Sequence, residues 1–160
     1  MSREGRAARV ASRQRVETIG NGTSAPVDKS IVRAETGELC LIDHNHGSTF
    51  TITLPPKQDG AYFKFIWKTL MDAGSSAVKI TTYEDTDGDL IGSIFEQVTG
   101  GTNANSAVQQ DGGTLDPDHQ VTISASVHEG SYIEVYCDGS VWHMHGTLNV
   151  SAVGRAVFGT

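Results

Sequence analysis

No apolar run in this chain approaches the roughly 20 residues that a bilayer-spanning helix needs. The basic N-terminal stretch lacks the apolar segment of a secretory signal. Cysteine is scarce, with only Cys40 and Cys137. Without an export signal these two read as reduced, half-buried strand residues rather than a disulfide. Catalytic motifs are missing too: there is no GxSxG, no Walker phosphate loop and no cysteine set in a nucleophile motif. The expectation is therefore a non-enzymatic protein with no catalytic residues, no cofactor and no membrane partner. A convincing 3.6-residue apolar period is also lacking, which argues against helices.

What the chain has is glycine, 18 in 160 residues, with a modest 38% of apolar residues. That composition suits short strands joined by many turns, and a core shared between copies. The clearest stretch is Ser48 to Lys68, STFTITLPPKQDGAYFKFIWK. Phe50, Ile52 and Leu54 alternate with threonines, the period-2 pattern of a half-buried strand. Pro55-Pro56 ends that ladder, because proline has no N–H to donate. After the polar turn Lys57–Gly60, a second strand carries Phe63, Phe65 and Trp67. The two strands read as a hairpin whose inward face other strands must cover.

Further segments alternate in the same way: Glu38–Asp43, Ala77–Tyr83, Leu90–Val98, Gln120–Val127, Ser131–Cys137 and Val141–Val150, with a short one at Ile31–Glu35. Asp138-Gly139 signals a hairpin between the last two long strands. Residues 99–118 read as a long polar loop. The expected fold is all-β: a single β-sandwich or jelly-roll-like barrel with an extended N-terminal arm. The expected organisation is a basic arm and linker over 1–28, the sandwich over 29–150 and a tail over 151–160. Tyr132 and Trp142 join Phe50, Ile52, Leu54, Phe63, Phe65 and Trp67 as core or trimer-contact residues.

Charge is unevenly placed. Residues 1–16 hold five arginines (Arg3, Arg6, Arg9, Arg13 and Arg15) and one acid, a net +4. The remainder holds the other 7 of 12 basic residues and 18 of 19 acids, a net −11. An acidic body with a basic arm points to an arm that contacts something else. Val10 and Val16 supply its apolar contacts. No aromatic residues interleave with the arginines, so base stacking has no support, and the −11 body opposes nucleic acid.

Two patterns invite an ion. Asp85-Thr86-Asp87-Gly88-Asp89 has its glycine at the fourth position with strands on both sides, where a calcium hand needs it sixth between helices, so it reads as a polar turn. His44-x-His46 and His143-x-His145 each place two imidazoles on one strand face, and four nitrogens would hold a metal if the motifs met. Each motif flanks a turn or strand end, where exposed histidines are common. The expectation is no bound metal, with these four histidines as the candidate ligands.

The ordered set Leu39–Asp43, Thr51-Ile52-Thr53-Leu54-Pro55, Asp59-Gly60-x-x-Phe63-x-Phe65-Ile66, Val78–Thr81 and Gly130-x-Tyr132-Ile133-Glu134-Val135-x-Cys137-Asp138-Gly139-x-x-Trp142 resembles the small β-sandwich head decoration (cement) proteins of tailed bacteriophages and related fibre knobs. The resemblance covers about residues 38–147. It implies a homotrimer on the outer surface of a virion capsid, made in the host cytoplasm, with the major capsid protein shell as partner. A tail-fibre or head-fibre knob, a receptor- or glycan-binding module, is the alternative it carries.

Overall fold

The computed structural model describes residues 14–83, 90–99, 106–109 and 119–159. Its elements are β1 (Val16–Gly22), β2 (Lys29–Ser30), a 3-10 turn (Arg33–Glu35), β3 (Leu39–His44), β4 (Thr49–Thr53), β5 (Tyr62–Trp67), β6 (Ala77–Thr81), β7 (Leu90–Val98), β8 (Ser106–Gln109), β9 (Gln120–Ser124), β10 (Tyr132–Cys137), β11 (Trp142–Val150) and β12 (Ala156–Gly159). They form a seven-stranded sheet, β1-β3-β5-β10-β11-β7-β8, and a five-stranded sheet, β12-β9-β6-β4-β2. The fold is an all-β sandwich. Parallel pairs (β1–β3, β3–β5, β11–β7, β4–β6, β2–β4) sit beside antiparallel ones, whereas a jelly roll is antiparallel throughout.

The parallel pairs have a simple cause. From β1 to β7 the chain alternates between the two sheets, one strand in each. Parallel neighbours need a crossover, and for every parallel pair but β7–β11 it is one strand of the facing sheet; β7 and β11 are linked through β8, β9 and β10. This corrects the hairpin expected over Ser48–Lys68, since β4 and β5 lie in opposite sheets. Pro55-Pro56 still ends the β4 ladder, whose last bond runs from the Leu54 N–H to the Thr81 carbonyl at 2.8 Å. Residues 54–61 then carry the chain across, longer than the two to five residues usual in a hairpin loop. The Asp138-Gly139 hairpin does form, pairing Cys137 with Trp142 and Tyr132 with Thr147.

Inward positions of both sheets meet in one core. Phe50, Ile52, Leu54, Phe63, Phe65, Trp67 and Trp142 are all buried within it. Phe63 and Trp142 touch in a tilted arrangement with ring centroids 6.1 Å apart. Tyr132 does not belong to this core: it alternates with buried Ile133 and faces outward. Cys40 and Cys137 are free thiols, both buried.

Other boundaries differ from those expected. The supposed linker contains β1, paired in parallel with β3. The supposed tail contains β12, paired with β9. The supposed 99–118 loop contains β8, paired with β7. Ile31–Glu35 is not a strand; β2 ends at Ser30 and a 3-10 turn follows. The sandwich thus runs from Val16 to Gly159. The Asp85–Asp89 turn lies outside the described residues.

Candidate functional site

At the root of the arm, the Leu39 N–H donates to the Arg15 carbonyl (2.9 Å), fixing where the chain joins the sheet. The Arg15 side chain remains 70% exposed, with Nε 3.8 Å from Glu38. Val16 beside it is exposed as well. Of the expected docking residues, Arg3, Arg6, Arg9, Val10 and Arg13 lie outside the described residues.

Next to this root, Glu17, Glu35 and Glu38 bring carboxylate oxygens within 4.8 Å of one another. Lys29 occupies the cluster, with Nζ 2.8 Å from Glu17 and 3.0 Å from Glu35. Burial works to lower the Lys29 pKa, but the hydrogen bonds to Glu17 and Glu35 outweigh it and the net shift is upward. Burial likewise works to raise Glu35, but the Val32 N–H and Lys29 hold it below the usual range. The cluster therefore already contains its cation, an ammonium that ties β1 to β2 across the two sheets. Beside it, burial and the charges of Glu38 and Glu17 push the Cys40 thiol up to about 12, so the thiolate needed for nucleophilic work is scarce at neutral pH.

The two His-x-His motifs do not meet within the chain. β5 and β10 lie between β3 and β11. His44 also faces the core, while His143 and His145 alternate with buried Trp142 and Met144 and face out. The expected exposure of His44 is thus corrected: it is fully buried against Phe50, with ring centroids 5.7 Å apart. Its Nε2 donates to the Ser48 carbonyl (2.9 Å). His46 Nδ1 lies 2.8 Å from the Ser48 hydroxyl.

Burial lowers the His44 pKa below its ordinary 6.5. The unfolded chain then takes up a proton that the folded chain refuses. Stability contributed by neutral His44 is complete above pH 6.5 and is lost as pH falls through the depressed folded value. Urea midpoints at pH 7.5 and 5.5 should show this loss in the native sequence and a smaller loss in His44→Leu. An equal acid loss in both would contradict it.

The outward face of the seven-stranded sheet is the most organised surface. Strand register sets its side chains in three cross-strand rows. The first is Tyr62–Tyr136–His143–Ile91. The second is Leu39–Lys64–Glu134–His145–Ser93, and the third Leu41–Ile66–Tyr132–Thr147–Phe95. Three of the chain's four tyrosines stand here. Gly92 makes the close β7–β11 pairing possible, since a Cβ there would collide with the Met144 carbonyl.

Glu134 is the hub of the middle row. Its Oε1 accepts from Lys64 Nζ (2.6 Å) and the Tyr62 hydroxyl (3.0 Å), and Oε2 lies 2.8 Å from His145 Nε2. The hydrogen bond from Lys64 is the main reason that the Glu134 pKa lies below the usual carboxylate range, and the same bond raises Lys64. Burial and the neighbouring Glu134 raise Tyr62. Lys64 Nζ also sits 4.7 Å from the centre of the Tyr132 ring, a cation–π contact. In the first row, Tyr136 and His143 stack at 4.6 Å. His143 Nε2 also lies 2.8 Å from Asp138, and that contact, with N–H donors from Val141 and Ser140, lowers the Asp138 pKa. With both oxygens of Glu134 engaged, this array holds side chains in place.

A separate open groove of about 710 Å³ lies beside β2, walled by Ile31, Val32, Ala34, Leu54, Pro56 and Tyr83. Alternation gives the inward halves of β5, β10 and β11 as core, and leaves the outward Tyr62, Lys64, Glu134 and Tyr136 without an assigned role. Their signal was available, since every residue between two inward ones must face out.

No family model matches the chain, and neither a curated protein nor a solved structure matches it.

Proposed function

We infer that this chain is a non-enzymatic virion structural protein that decorates and stabilises a phage capsid, docking as a trimer through its basic N-terminal arm. The observation that carries the reading is the charge split, +4 over residues 1–16 against −11 over the rest. The acidic corner at the root of the arm already holds Lys29, so its charge is partly met from within, while the Arg15 side chain points largely into solvent. A rigid sandwich with a basic arm at one edge suits a staple that bridges neighbouring shell subunits, because each bound copy adds buried contacts across their boundary. The ordered motif resemblance supports the same reading.

The test is binding to purified capsid shells that lack this protein. The full chain should pellet with shells. A chain lacking residues 1–13, which leaves β1 whole, should lose at least tenfold in affinity while keeping its circular dichroism spectrum. Full occupancy by the shortened chain would contradict arm docking. The fibre-knob alternative is favoured by one observation, the solvent-facing tyrosines of the larger sheet. It expects the shortened chain and the full chain to be equally indifferent to shells.

A further inference from the structure

The two outer faces of the sandwich differ in kind. On the five-stranded sheet, outward positions are mostly small and polar, Thr49, Thr51, Thr53, Thr81 and Thr122 with Lys79, and Val157 at the edge strand β12 is the large apolar exception. On the seven-stranded sheet, the first and third rows are mostly aromatic and aliphatic, with His143 and Thr147 among them. Tyr136 is 43% exposed and Phe95 41% exposed. At ~4.8 Å between strands and roughly 7 Å between rows, five strands and three rows span about 19 by 14 Å between backbone positions, and the side chains at the margins extend beyond that. Apolar patches beyond a few hundred Å² mark interaction sites, and a standard interface takes about 800 Å² per partner.

We propose that this face is where the chain meets further copies of itself, turned towards the symmetry axis of a homo-oligomer. Charge selects the occupant. The body carries −11, which repels a second body wherever acids oppose acids. On this face the ionic row is neutralised from within, Lys64 against Glu134, so two copies can approach without like charges facing each other. The Glu134 oxygens are already hydrogen-bonded, so little polarity is left unpaired on burial. Exposed Tyr136 and Phe95 supply the rigid aromatic anchors that interfaces favour. Val16 pairs with Leu39 in the second row, so the arm leaves from the margin of the same face. This inference deepens the trimer part of the reading above and rests on that part alone, without the capsid.

The experiment is sedimentation equilibrium of the full-length chain, with Tyr136→Lys, Phe95→Lys and the control Val157→Lys. Val157 is also an exposed apolar residue, 57% exposed, but lies on the other sheet. All three sites are solvent-facing, and a thermal melt checks that each variant folds. The expected result is three times the 17.1 kDa chain mass for the native sequence and the control, falling to one chain mass for Tyr136→Lys and Phe95→Lys. A native mass of two chains that falls to one in the same two variants would uphold the face and contradict the trimer. A native monomer would overturn the inference. So would an oligomer that Val157→Lys breaks and Tyr136→Lys leaves whole. Retention of a monomer on lipopolysaccharide-coated beads, lost in Tyr136→Lys, would also overturn it and give the face to a glycan.

Discussion

Phe65→Ala should cost about 3–5 kcal/mol, the range for truncating a fully buried phenylalanine. Phe65 is 0% exposed and stands mid-sheet, paired with Cys40 of β3 on one side and Ile133 of β10 on the other. The two strands that flank it, β3 and β10, lie far from it in sequence, so little local rearrangement can refill the space. A loss of this size is a large part of the roughly 5–15 kcal/mol that a domain commands. The urea midpoint should fall accordingly, and much of the protein should be insoluble when expressed at 37 °C. A soluble variant with an unchanged midpoint would mean that the ring contributes little to the core.

Glu96→Ala should cost about 3 kcal/mol for a different reason, the loss of acceptors from N–H groups held inside the protein. Glu96 is 0% exposed at an inward position of β7. Its Oε1 accepts from the N–H groups of Arg155 and Ala156, both at 2.6 Å, and its Oε2 accepts from Gly154 at 2.5 Å. Those donors lead into β12 of the other sheet, so one carboxylate pins the end of the chain across the sandwich. Truncation leaves the buried Ala156 donor without a partner, while the half-buried Arg155 donor and the exposed Gly154 donor can turn to water. Glu96→Gln keeps one oxygen acceptor and most of the shape, so about 1 kcal/mol is expected of it. Amide hydrogen exchange should show Ala156–Gly159 losing protection in Glu96→Ala first. A loss in Glu96→Gln equal to that in Glu96→Ala would contradict the acceptor account, and so would retained protection.

The sequence revealed alternation and hid partnership. The inward set of β4, β5, β10 and β11 follows from period 2 alone, because a strand buries every second residue whatever it pairs with. Whether Thr53 and Tyr62 belong to one sheet does not follow, since a hairpin and a crossover between sheets leave the same local pattern. β1 was hidden for a conformational reason. Its segment Val16–Gly22 has one buried apolar residue, Ile19, and two glycines, so it reads as a linker. Gly20 sits at φ +95°, where a Cβ would strike the Asp43 carbonyl, and the register shifts just beyond it. Glycine here marks a close strand pair with an irregular register. β12 was hidden because its anchor, Glu96, lies some 60 residues away and makes its bonds to backbone, which leaves no mark in the local sequence. The His-x-His motifs show the opposite error: the i, i+2 rule holds only along a strand, but β3 ends at His44, so His46 lies beyond it, and His44 faces the core while His143 and His145 face out.

The central claim, a decorating trimer on the outside of a head, is tested most directly by immunogold electron microscopy of intact particles that contain this chain. Antibody raised against the folded sandwich should label the head surface evenly, with three-dimensional reconstruction placing trimeric density at three-fold positions. Gold confined to the tail or its fibres, with a bare head, would contradict the account.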